Sequence, residues 1–240
     1  MNPRALFIIA LCGLAFAAGT SNGFAAPSFA GTTKQAIFIS PLETSMSTWA
    51  IESQILQLER AGYHVDVVLD GNATISFFET GLSNYDLIVL RTDAFTWEGL
   101  RYYCAGDHPD NKARAALSGM IALKEVQVAA CVGFNMLFLR HYYPAGSLRS
   151  GLVIMPSSFS AEIASVFLQA GAAAFIGYNE GHCMQWGYLD SFSLKILYYL
   201  SKGYSVADTM IQLYIYLHTG HGKSADWMMP ESFGDGTYKI

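Results

Sequence analysis

Apolar runs alternate with helix-period segments along most of the chain. Ala36 to Pro41 (AIFISP) is a short apolar run closed by proline. Between Ser47 and Ala61, Ile51, Ile55 and Leu58 recur at helical spacing, and Gly62 supplies a stop. His64 to Asp70 (HVDVVLD) reads as the next strand. After a brief apolar segment around Phe77 and Phe78 comes Tyr85 to Leu90 (YDLIVL), apolar on both faces as a central parallel strand must be. Gly151 to Met155 and Ala172 to Tyr178 are two more strands. The helix between them runs from about Ser160 to Ala170, with Ser160 as N-cap, Glu162 in the first turn and Gly171 as the stop. A helix from Asp190 to Lys202 ends at Gly203. Another opens with the near capping box Ser205-x-x-Asp208 and ends at Gly220.

This alternation predicts an α/β fold, with a mostly parallel central sheet flanked by helices on both faces. No repeat, low-complexity tract or linker divides residues 31–240, which are expected to form one domain. The irregular stretch from Trp97 to Tyr143 reads as an insertion carrying an extra strand, Glu125 to Val132.

Composition narrows the partners. With 52% hydrophobic and 14% charged residues, a 240-residue chain can bury a large core. The net charge of −5, with no run of Lys or Arg, argues against nucleic-acid backbones and anionic membrane surfaces. Residues 1–25 are expected to be a secretory signal peptide. Arg4 precedes the apolar run Ala5 to Ala18, which is shorter than the roughly 20 residues of a membrane span. Small residues allow cleavage between Ala25 and Ala30; an uncleaved anchor is the alternative. The mature protein is therefore expected to be secreted or periplasmic, with no stable membrane insertion. Export permits a disulfide among Cys104, Cys131 and Cys183, in any of three pairings. No Cys-x-x-Cys spacing suggests zinc.

In open parallel sheets, ligands bind outside the carboxyl ends of the strands. Arg91, Thr92 and Asp93 follow the third strand, and Pro156, Ser157 and Ser158 the fourth. Asn179, Glu180, Gly181, His182 and Cys183 follow the fifth. The segments ATISFFETGLSNYDLIVLRTDAF, GLVIMPSSFSAEIASVFLQAGAAAFIGYNE and LSKGYSVADTM resemble the caspase-like cysteine peptidases, nearest their gingipain, clostripain and CHAT-domain branch. The likeness spans roughly Ala36 to Met210 and is weak between Trp97 and Tyr143. It implies a His at the end of the third strand and a Cys at the end of the fourth, the imidazole assisting a thiolate attack on a peptide carbonyl. Those positions fall on Asp93 and on Ser157 or Ser158. Neither substitution preserves the dyad.

Three functions are compatible with this edge. A binding module would keep the fold without the chemistry, with Arg91 and Asp93 as ligand contacts or an internal ion pair, and Thr92, Ser158, Asn179 and Glu180 as further contacts. A rebuilt hydrolase would join Ser157, His182 and Asp93 as nucleophile, base and orienting group; a Ser after a strand-ending Pro is also a common turn residue. A displaced thiol would use Cys131, within AACVGF, or Cys183 beside His182; Cys131 could equally be a small buried hydrophobe. The ligand expected at this edge is a peptide, a protein or a small molecule.

No metal or cofactor is expected. His218 and His221 could share a helix face, but a late-helix His often only caps carbonyls. Asp107, His108 and Asp110 sit in a turn-rich stretch. No glycine-rich phosphate loop occurs. Tyr102, Tyr103, Tyr142, Tyr143, Trp97 and Trp186 serve as core packing or as an aromatic ligand surface equally well.

Overall fold

A computed structural model describes residues 33–42, 48–106, 121–125, 130–149, 151–179, 186–220 and 229–240. Its centre is a six-stranded sheet in the order β10-β9-β8-β3-β1-β2. The strands are β1 (Lys34–Ser40), β2 (Tyr63–Leu69), β3 (Leu87–Leu90), β8 (Leu152–Ile154), β9 (Ala174–Gly177) and β10 (Glu231–Gly234). The first five pair in parallel, and β10 joins β9 antiparallel at one edge. The α/β class and mostly parallel sheet read from the alternation are what the chain adopts.

Both faces of this sheet are covered. Alternate strand residues divide between two cores, as a side-chain period of two requires. Ala36, Phe38, Leu87, Val89, Leu152, Ile154, Ala174 and Ile176 face one core. There they meet α1 (Thr48–Arg60), α5 (Trp186–Ser201) and α6 (Val206–Gly220). Ile37, Ile39, Ile88, Leu90, Val153 and Phe175 face the other. Against them pack α2 (Ile75–Thr80), α3 (Met136–Tyr142) and α4 (Ala164–Ala170).

The middle of the chain differs from expectation. Among the described residues it forms a second, antiparallel sheet in the order β4-β5-β7-β6. Its strands are β4 (Ala94–Trp97), β5 (Leu100–Ala105), β6 (Ile121–Glu125) and β7 (Ala130–Phe134). The single strand expected from Glu125 to Val132 is thus the end of β6 and the start of β7, two antiparallel neighbours. An apolar run does not show where a chain reverses. The segment around Phe77 is the helix α2, capped by Thr74, whose hydroxyl accepts from the Phe77 N–H at 3.1 Å.

Ser160 is not the N-cap expected of it. A 3-10 turn, Ser160–Ile163, precedes α4. The buried Ser160 hydroxyl instead donates to the Met155 carbonyl at 2.7 Å and accepts from the Tyr178 N–H at 2.9 Å. It ties the end of β8 to the end of β9. The Ser205 expectation fits the structure. Its Oγ accepts from the Asp208 N–H at 3.1 Å and donates to the Asp208 carboxylate at 2.7 Å.

Candidate functional site

The carboxyl ends of β1, β3, β8 and β9 open on one side of the sheet, because these strands are parallel. Strand alternation decides which way each end residue points. Leu87 and Val89 face the α1/α5 core, and two residues on so does Arg91. Ser40 continues Ala36 and Phe38 in the same way, and Tyr178 continues Ala174 and Ile176. A polar layer therefore closes the apolar core at this edge.

Arg91 is fully buried there. Its Nε donates to one Asp190 carboxylate oxygen at 2.7 Å and an NH2 proton to the other at 3.3 Å. A longer contact reaches the Ser40 hydroxyl at 3.5 Å. Asp190 comes from the first turns of α5, 99 residues along the chain. Burial raises the Asp190 carboxyl above the ordinary aspartate value, and the Arg91 hydrogen bond and charge oppose that rise. The Tyr178 hydroxyl is fully buried without a hydrogen-bond partner among the described residues, and burial together with the Asp190 charge raises its pKa. Arg91 is an internal ion-pair residue, but its partner is Asp190 rather than the expected Asp93, which feels its charge.

On the opposite face the edge is tied to the second sheet. The Thr92 hydroxyl, buried, donates to the Cys104 carbonyl at 2.7 Å. Asp93 is half-buried and accepts from its neighbour, the Ala94 N–H, at 2.8 Å. Burial raises its carboxyl above the ordinary value, opposed by that hydrogen bond and by the Arg91 charge.

Ser157 is fully buried, and its hydroxyl donates to the adjacent Ser158 carbonyl at 3.3 Å. Its N–H donates to the Met155 carbonyl at 2.9 Å. Asp93 and Ser157 follow adjacent strands, yet among the described residues no hydrogen bond joins their side chains. The loop continues through Phe159, whose φ of +59° is left-handed and strained for a bulky residue. Two contacts hold it in that conformation. The Tyr103 hydroxyl donates to the Phe159 carbonyl at 2.9 Å, and the Arg101 guanidinium lies 3.5 Å above the Phe159 ring.

Asn179, exposed, donates through Nδ2 to the Glu231 carboxylate of β10. Glu180, His182 and Cys183 lie outside the described residues, as do Asp107, His108, Asp110 and His221. Cys131 stands in β7 opposite Lys124 of β6, and its side chain lies outside the described residues. Cys104 is fully buried and disulfide-bonded. The His218 Nδ1 lies 2.8 Å from the Tyr214 carbonyl one turn back in α6, and its ring stacks on Tyr214 at 3.8 Å. Among the described residues no three His, Cys, Asp or Glu side chains could hold a metal ion. None of their helices is long and apolar enough to cross a membrane.

Asp190, Ser40 and Tyr178 were missed as site residues. A usable signal existed: each of Ser40, Arg91 and Tyr178 is the first polar side chain after an alternating apolar series facing one core. Asp190, carried by a helix, left no such trace. No protein-family model matches the chain, and no curated protein is significantly similar to it in sequence.

Proposed function

We propose that this domain is an exported, non-proteolytic relative of the caspase-like peptidases, which uses the carboxyl edge of its sheet to bind a peptide, protein or small molecule. The observation that carries this reading is the state of Ser157. A nucleophile must be reachable by substrate and bonded to a base. The Ser157 hydroxyl is fully buried and donates to a backbone carbonyl. Asp93, where the resemblance places the catalytic His, is engaged with Ala94. Arg91 and Asp190 give the edge a fixed floor rather than a free charge. Export is supported by the apolar run Ala5 to Ala18 and by the disulfide at Cys104, a bond that persists in oxidising compartments.

The test is a peptide-library cleavage assay on the purified mature chain and on Ser157→Ala, Cys131→Ala and Cys183→Ala. No cleavage by any form, with the fold intact by circular dichroism, is expected. Cleavage abolished by Ser157→Ala would establish a rebuilt triad, and cleavage abolished by a Cys variant that keeps the parent's thermal midpoint, and so the Cys104 disulfide, a displaced thiol; both would overturn the proposal.

A further inference from the structure

A cleft of about 250 Å³ opens between the first turns of α1 and α5, lined by Trp49, Ala50, Gly187, Asp190, Ser191 and Leu194. Sites for drug-sized ligands span about 300–1,000 Å³. This one suits a single small ring.

Its walls differ in chemistry. Trp49 is 68% exposed, so its indole face is available for stacking. Among the described residues nothing lies within 4 Å of where a Gly187 Cβ would stand. Asp190 lines the cleft while only 7% exposed, and Arg91 already holds both its oxygens. That pairing decides what the carboxylate can bind. A cation gains little from a charge already neutralised. Neutral O–H donors can still use the remaining lone pairs, since a carboxylate accepts about four hydrogen bonds.

Two buried polar groups on the α1/α5 side of the sheet lack hydrogen-bond partners among the described residues. Gln54, one helical turn beyond Ala50 on the buried face of α1, is fully buried with neither end of its amide hydrogen-bonded. The buried Tyr178 hydroxyl, which feels the Asp190 charge, also has no partner. Buried groups left in this state are costly.

We infer that this cleft is a carbohydrate-binding subsite, in which hydroxyls of one pyranose ring donate to Asp190 while the apolar face of the ring stacks on Trp49. The inference rests on the reading of this edge as a binding surface. Adjacent hydroxyls on one ring match the two oxygens of a carboxylate. A peptide backbone, with one N–H per residue, does not.

Saturation-transfer NMR of the mature chain with the methyl glycosides of glucose, galactose, mannose and N-acetylglucosamine tests it. Trp49→Ala and Gly187→Trp serve as variants, because both positions are open and neither supports the core. Transfer to ring C–H protons of at least one glycoside is expected, with affinity falling roughly tenfold in each variant as stacking or space is lost. No transfer from any glycoside, or transfer unchanged in both variants, would overturn the inference. A peptide mixture run under the same conditions separates it from the proposed function. Peptides that bind the cleft in place of glycosides, and are lost in both variants, would overturn the carbohydrate inference and leave the binding module intact. Peptides that are cleaved would remove the binding module itself, whatever the glycosides do.

Discussion

At the residue scale, Arg91 turns the end of an apolar strand into a fixed polar floor. Its charge is removed from water and matched by Asp190 in two-point geometry, with the exposure of the Arg91 side chain at zero. Removing one partner leaves the other charged and buried. Arg91→Ala is therefore expected to cost about 3–5 kcal/mol in urea unfolding. The double replacement Arg91→Met with Asp190→Leu should recover most of that loss, because it leaves no orphaned charge. Asp93 makes a different prediction. Its carboxyl is raised above the ordinary value by burial, so the folded state keeps the proton where the unfolded chain has lost it. That contribution is fully present below the ordinary carboxylate value and is lost as pH rises through the raised one. Asp93→Asn should thus be more stable than the parent at pH 7, the gap closing towards about pH 3. Urea midpoints at the two pH values measure it. The sequence offered Asp93 as the internal partner of Arg91, whereas the partner it takes is Asp190. Arg91 and Asp190 stand 99 positions apart, and no local pattern joins them.

At the element scale, the pattern was most readable where both faces of a strand are buried. Leu87–Leu90 is fully buried and could be nothing but a central strand. β10 (ESFG) was invisible because it is a mostly exposed edge strand with a single partly buried aromatic, Phe233. The second sheet was hidden because its hairpins depend on turns and cross-strand pairing more than on periodicity. Helix ends, by contrast, follow local chemistry. Ser205→Ala removes the cap from α6 and should cost about 1 kcal/mol, measured by thermal or urea unfolding. Gly151, just before β8, is required by close approach rather than by φ. A Cβ there would stand 1.9 Å from the Asp86 carbonyl oxygen, which also accepts from the Leu152 N–H. Gly151→Ala should therefore cost about 1–3 kcal/mol, in line with other overpacked sites. A variant as stable as the parent would show that β8 can shift away from β3.

At the scale of the whole molecule, parallel strands bring residues distant in sequence to one edge, and layered helices settle which of them are free to act. Arg91, Thr92, Asp93 and Ser157 reach that edge as strand-end residues, which the alternation alone was enough to anticipate. Their availability was not legible. Whether a hydroxyl is exposed or tied to a carbonyl depends on packing between elements, here the β8–α4 loop held by Tyr103 and Arg101 of the second sheet. The central claim is that this edge binds without an activated nucleophile. The intact mass of the purified mature chain after exposure to peptidyl chloromethyl ketones ending in Lys, Arg or Asp tests it most directly, because these reagents label activated thiolates and the base of a serine triad. No adduct that depends on the peptide sequence is predicted. A stoichiometric, sequence-dependent adduct mapped to Cys131, Cys183 or His182 would contradict it.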